Sequence, residues 1–161
     1  PRKFGVGLGL GSTMPFGRNT RNSFSPGLGI GLIIDLPYGF YFGPFEIIFG
    51  SEITYNSMAG KPESYSNPNE DSYTLINVIG TASTKILFLN AVLGFGISPS
   101  SIGEESNTPL TIIVDAEFPI IKSTNFQIDL KFRAQETLGY PGYETGTSDL
   151  IHLGTNLKYK F

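Results

Sequence analysis

The sequence predicts an all-β chain: an eight-stranded antiparallel up-and-down transmembrane β-barrel with short periplasmic turns and long extracellular loops. Three observations carry this. Apolar residues alternate with glycine or polar ones in run after run, the period of a strand with two unlike faces. Most runs keep that register for roughly nine residues or more, the length a tilted membrane-crossing strand needs and longer than a typical soluble strand. The connections alternate between short and long, and the long ones are rich in Asn, Ser, Pro, Gly and charge, the asymmetry of a barrel threaded through a bilayer.

Composition narrows the class further. The 161 residues make one domain spanning 1–161, with a formal charge of −3 and no cysteine. A net acidic chain with scattered Lys and Arg lacks the basic face of a nucleic-acid binder. The absence of cysteine excludes a disulfide framework, a thiolate metal site and a Cys nucleophile. Twenty glycines, 13 Phe and eight Tyr point to strands and turns. No apolar run is long enough for a membrane-spanning helix, but a closed barrel also satisfies every backbone group within lipid. The opening PRKF lacks the apolar core of a secretory signal, so an exported form is expected to be processed or trimmed.

The first strand is the comb FGVGLGLG at 4–11, with Gly5, Gly7, Gly9 and Gly11 between Phe4, Val6, Leu8 and Leu10. A phosphate-binding glycine loop would need a turn and a helix after the strand; no helical pattern follows. The second sets Leu28, Ile30, Leu32, Ile34 and Leu36 against Gly27, Gly29, Gly31, Ile33 and Asp35. The third opposes Phe45, Ile47, Phe49, Ile53 and Tyr55 to Glu46, Ile48, Gly50, Glu52 and Thr54. Either parity fits the fourth, around 72–82. The fifth, from 86 to 97, sets Leu87, Leu89, Ala91, Leu93, Phe95 and Ile97 against Ile86, Phe88, Asn90, Val92, Gly94 and Gly96. The sixth opposes Leu110, Ile112, Val114, Ala116 and Phe118 to Thr111, Ile113, Asp115 and Glu117. In the seventh, Phe126, Ile128, Leu130 and Phe132 face away from Gln127, Asp129, Lys131, Arg133 and Gln135. The eighth puts Ile151, Leu153, Leu157, Tyr159 and Phe161 opposite His152, Gly154, Asn156, Lys158 and Lys160. Short links are expected near 37–39, 82–84 and 121–124, and long loops near 14–23, 56–71, 98–109 and 137–147.

The second face decides which way the barrel is turned. Rows of glycine make a poor hydrated exterior, because they weaken strands and bare the backbone. Inside a narrow lumen they leave room for long charged side chains. The apolar faces therefore look out to lipid, and Tyr38, Tyr41, Phe118, Phe126, Tyr159 and Phe161 form an aromatic girdle near the short turns.

The final strand, HLGTNLKYKF, ends on Phe161 with Tyr159, Leu157 and Leu153 at alternate positions before it. This resembles the C-terminal assembly signal of bacterial outer-membrane proteins, read by the barrel-assembly machinery. Over essentially the whole chain, strand count and loop asymmetry are similar to the OmpA/OmpX-type eight-stranded barrels. The resemblance implies insertion in the outer membrane among phospholipid and lipopolysaccharide, with other outer-membrane proteins as candidate partners. Two departures stand out. There is no Trp, and no peptidoglycan-binding domain is expected after the barrel, so a cell-wall tether is not carried over from the resemblance.

The candidate site is the set of inward charges: Asp35, Glu46, Glu52, Asp115, Glu117, Asp129, Lys131, Arg133, His152 and Lys158. The short turn after the sixth strand brings Asp115 and Glu117 near Lys131 and Arg133. An eight-stranded barrel has room only for side chains, so these charges are expected to plug it with ion pairs rather than line a channel. The sole histidine, His152, would serve a lipid-modifying enzyme of this size class only with a nucleophile and an orienting group in reach, and position 154 is Gly. No catalytic residue, metal or cofactor is assigned. Glu70–Asp71 and Glu104–Glu105 are expected in solvated loops. Tyr65, Tyr140 and Tyr143 either form a contact surface or order their loops. Small residues at Gly80, Ala82 and Ala91 offer a lateral docking face. The expected role is structural or interactive, through the loops or within a larger assembly; the alternatives are a narrow pore for small solutes and an envelope lipid-modifying enzyme.

Overall fold

The computed structural model describes residues 3–62, 69–142 and 146–161. Eight long strands form the wall: β1 (Gly5–Pro15), β2 (Gly27–Phe42), β3 (Phe45–Met58), β4 (Tyr73–Ile86), β5 (Leu89–Ile97), β8 (Leu110–Lys122), β9 (Phe126–Thr137) and β10 (Ser148–Lys160). A short helix, α1 (Arg18–Ser23), lies between β1 and β2, and a small hairpin, β6 (Ser100–Ile102) with β7 (Glu105–Asn107), between β5 and β8. Every wall strand pairs antiparallel with its neighbour in the chain, β1 pairs with β10, and β3 with β4, so the sheet closes on itself. Closure leaves the eight-stranded wall no strand edge, which is what a sheet in hydrocarbon requires.

The wall is inverted relative to a soluble barrel. In β9, Leu130 is 48% exposed and its neighbour Lys131 is 8% exposed. Outward-facing apolar side chains such as Leu8, Leu10, Ile30, Leu93, Phe95, Val114 and Leu153 are likewise exposed, a surface only acyl chains would accommodate.

The glycine comb is explained by what it faces inside. A Cβ on Gly9 would stand 2.9 Å from Asn156 Oδ1, and one on Gly7 3.0 Å from Lys158 Cγ. The bare strand is the space into which the polar side chains of β10 fold.

Turn positions shift from those the sequence suggested. The link between β2 and β3 is Gly43–Pro44 rather than 37–39, because residues 35–39 hold a register irregularity and the strand continues past it. Gly43 takes the left-handed conformation (φ 57°) that the reversal needs. The β4–β5 link is 87–88 rather than 82–84: β4 runs on to Ile86, and Leu87 bears the positive φ (55°). The third short turn is 123–125, just beyond the expected 121–124, after an irregularity between Pro119 and Ile121. The parity of β4 is settled by pairing: Tyr73, Leu75, Asn77 and Ile79 point in, Ile76, Val78 and Gly80 out.

Tyr41 leaves the predicted girdle. The irregular stretch of β2 has two extra residues, so odd positions stay luminal; Tyr41 pairs with Glu46 and both line the cavity. Phe40, Phe42, Phe45 and Phe49 take the outer face there. Tyr38 is exposed within the irregular stretch. Around the rest of this rim the rings touch in pairs: Phe40–Phe49, Phe88–Phe118, Phe4–Phe161 and Tyr159–Phe161, with centroids 5.0 to 6.2 Å apart. Phe126 pairs with Tyr159 on the same face.

Candidate functional site

The lumen is layered, and β9 alone carries one residue of nearly every layer: from the periplasmic end inward-facing Gln127, Asp129, Lys131, Arg133, Gln135 and Thr137. At mid-height lies the ion-pair quartet. The Arg133 guanidinium forks onto two carboxylates at once: Nη1 and Nη2 donate to Glu52 Oε1 and Oε2 at 2.7 Å, and Nε and Nη2 to Asp115 Oδ1 and Oδ2 at 2.7 Å. Lys131 Nζ lies 3.0 Å from Glu52 Oε2 and 3.6 Å from Asp115 Oδ2. Two acids face two bases, and Arg133 is 2% exposed. Bidentate geometry offsets the desolvation that burying four charges incurs.

One layer nearer the periplasm, Glu117 accepts from Lys158 Nζ and Asn156 Nδ2, both at 2.7 Å. Asp129 accepts from Gln127 Nε2 at 2.6 Å and stands 3.7 Å from Lys158. Strand pairing sets Glu117 beside Lys131, as the sequence suggested, yet its carboxylate bonds Lys158 instead. Lys131 instead reaches across the lumen to Glu52 on β3, a contact that strand order alone does not reveal. Asp35 and Glu46 stand lower, on the cavity wall.

Toward the outside the charges give way to hydroxyls and amides. His152 Nδ1 lies 2.8 Å from Thr13 Oγ1, and Nε2 3.0 Å from Gln135 Oε1. Thr13 donates to Asn56 Oδ1 at 2.8 Å, and Gln135 and Asn77 exchange a reciprocal amide pair at 2.9 and 3.0 Å. Ser98, Thr111 and Thr137 complete the layer. Above it sits an apolar cap of Phe24, Met58, Tyr73, Leu75, Tyr140 and Leu150, all buried. Its three rings meet pairwise at 5.3, 5.7 and 6.2 Å. Phe24 arrives from the segment after α1 and Tyr140 from the β9–β10 loop, so the cap fastens loops to the barrel mouth.

The periplasmic end is open. A cavity of about 830 Å³ lies below the charged layers, lined by Asp35, Glu46, Glu117, Lys3, Lys85, Lys158 and Lys160 among others.

The remaining candidates fall as follows. Leu153, Leu157, Tyr159 and Phe161 lie exposed on one outward face of the last strand. Tyr140 is in the cap; Tyr65 and Tyr143 lie outside the described residues. Glu104 and Glu105 stand exposed at the β6–β7 tip, and Asp71 packs against Gly103 there. Gly80 and Ala82 are outward but sit beside Phe95 and Leu93, while Ala91 pairs with Ala116. The cap and the amide layer were not anticipated from sequence; Asn77, a polar residue amid YTLINVIG, was the signal that fixes which face of β4 is luminal.

No protein family's sequence profile matches the chain, and neither does any curated protein sequence. Solved structures do match in fold. Neisserial surface protein A is similar with a TM-score of 0.61 at 13% identity, over 98% of this chain and 97% of that one. Outer membrane protein OprG from Pseudomonas aeruginosa gives 0.52 at 7% identity, over 98% and 96%. Outer membrane protein AlkL, solved in lipid bilayers, gives 0.51 at 9%, over 99% and 90%. The chain has the fold of the small eight-stranded outer-membrane β-barrels of Gram-negative bacteria, and its outward apolar band is the face such a barrel turns to lipid.

Proposed function

We propose that this outer-membrane barrel is a closed scaffold whose extracellular end is its working surface, in a structural or interaction role rather than as a pore or an enzyme. The observation that carries this is the double seal of the lumen. Among the described residues, a paired-charge layer at mid-height and an apolar cap at the outer mouth leave no continuous aqueous path, and the cap draws Phe24 and Tyr140 of two loop segments onto the barrel. Loops ordered on a rigid scaffold suit recognition, because less conformational freedom is lost when a partner docks.

The histidine supports the non-enzymatic reading. The hydroxyl against it is Thr13, fully buried and already donating to Asn56, on the luminal side of the wall away from any lipid substrate. The exposed band meets phospholipid and lipopolysaccharide, the terminal strand with Leu153, Leu157, Tyr159 and Phe161 engages the barrel-assembly machinery during insertion, and the loops contact other envelope proteins.

Planar-bilayer recording tests the closed lumen: the folded protein is expected to give no discrete conductance steps. Reproducible single-channel openings would replace this reading with a pore. Gentle detergent extraction from the native envelope is expected to bring a companion protein with it.

A further inference from the structure

We propose that the periplasmic mouth of the barrel binds a phosphate-bearing anion on an arc of lysines formed by Lys3, Lys122 and Lys160. The inference rests on where the register places these side chains. Lys122 of β8 and Lys158 of β10 both pair with Gln127 of β9, so the two lysines flank one luminal side chain in a single cross-strand row. Directly opposed side chains stand about 5 Å apart, so Lys122 stands one strand from Gln127 at the cavity mouth, with Lys158 on the far side of Gln127 committed to Glu117. Lys160 follows Lys158 on the same face, and its backbone N–H bonds Asn125 O at 2.7 Å. Lys3 crosses from the start of the chain to place its Nζ 3.3 Å from Asn125 Oδ1. Lys85, on β4 across the barrel, faces the arc over the cavity mouth.

What separates this arc from the buried network is that its charges are unspent. Lys158 is bonded to Glu117, but Lys85, Lys122 and Lys160 form no ion pair with any carboxylate among the described residues. Of the acids on the cavity wall, Glu46 is on β3, Glu52, Asp115 and Glu117 are deeper and bonded to Arg133, Lys131 or Lys158, and Asp35 flanks Gly5 in the row that Lys160 shares. The cavity of about 830 Å³ is walled by protein and membrane of low dielectric, which concentrates the field of the rim charges at the mouth. Asn125 and Gln127 add neutral amide groups between the lysines. Lysine ammonium groups bind phosphate as point charges without a fixed geometry, so the site accepts either a soluble polyphosphate-like anion or the headgroup of an anionic phospholipid from the adjoining leaflet.

The experiment is a calorimetric titration of inorganic tripolyphosphate into the full chain held in phosphatidylcholine nanodiscs. Saturable binding is expected, weakening as salt is raised and falling about tenfold in Lys3→Ala/Lys122→Ala/Lys160→Ala, a loss on the scale of several exposed charge contacts. The corresponding triple Arg variant is expected to retain binding, which separates charge from folding, since the three side chains lie outside the buried ion-pair network. Nanodiscs containing phosphatidylglycerol identify the source. Suppressed tripolyphosphate binding assigns the arc to a lipid headgroup, and unchanged binding assigns it to a soluble anion. Absence of saturable binding, or equal binding by the triple Ala variant, overturns the proposal.

Discussion

The two halves of the lumen are built from opposite materials. The periplasmic half is charged, holds an open cavity, and ends in lysines that form no ion pair among the described residues. The extracellular half is neutral, filled first by amides and then by Phe24, Met58, Tyr73 and Tyr140. Both halves lie inside the same eight-stranded wall, so the wall does not dictate the filling. What differs is how each half is held. Charges in the lower half are fixed across the barrel by ion pairs from β3, β8, β9 and β10, whereas the upper half joins two rings that loops carry in, Phe24 and Tyr140, to the outer ends of β3, β4 and β10. The lower filling belongs to the barrel's stability and the upper to the ordering of its loops.

Arg133→Ala gives the largest expected break in this scheme. It leaves Glu52 and Asp115 sharing Lys131 alone, and stranding a buried carboxylate costs roughly 3–5 kcal/mol. Denaturant-dependent folding into lipid vesicles reads that loss, and bilayer conductance is expected to stay silent because the outer cap still closes the lumen. Adding Asp115→Asn restores charge balance around Glu52 and Lys131 and is expected to recover part of the loss; strict additivity of the two changes would refute the coupling. Phe24→Ala comes next. Removing a fully buried ring costs roughly 3 kcal/mol, but the effect is local: protease sensitivity in the loops should rise while the charged layer keeps its protection from hydrogen exchange. Equal loss of protection at both levels would show that the two halves are not separable.

The same contrast explains what the sequence could and could not reveal. Strand alternation is local, so the inward set from Glu52 to Lys158 and the outward apolar band were legible residue by residue. Which inward charge meets which was legible between neighbouring strands, as with Arg133 and Asp115, and not across the lumen. Lys131 neighbours Glu117 along the sheet but bonds Glu52 across the lumen, a choice set by the reach of a long side chain over a narrow bore. Tyr41 was misplaced because an aromatic near a turn looks like a girdle residue whichever way it points; its odd parity with Asp35 was the better guide. The cap was hidden more deeply. Phe24 and Tyr140 come from loop segments that alternate with nothing, Met58 from the last position of β3, and only the closed structure brings them together.

The smallest of these effects tests the glycine comb. Gly9→Val places a branched side chain where a Cβ alone would stand 2.9 Å from Asn156 Oδ1. Asn156 has no open space to retreat into: it is 1% exposed and its Nδ2 is committed to Glu117. Overpacking of this kind costs roughly 1–3 kcal/mol, and part of it is the broken bond to Glu117. Combining Gly9→Val with Asn156→Ala removes the obstructing amide, so the pair is expected to be less destabilised than the sum of the single changes. If the comb served only to make the strand thin or supple, trimming Asn156 would relieve nothing and the two costs would simply add. Refolding yields of the four proteins in vesicles therefore distinguish glycine as space for a neighbour from glycine as a property of the strand itself.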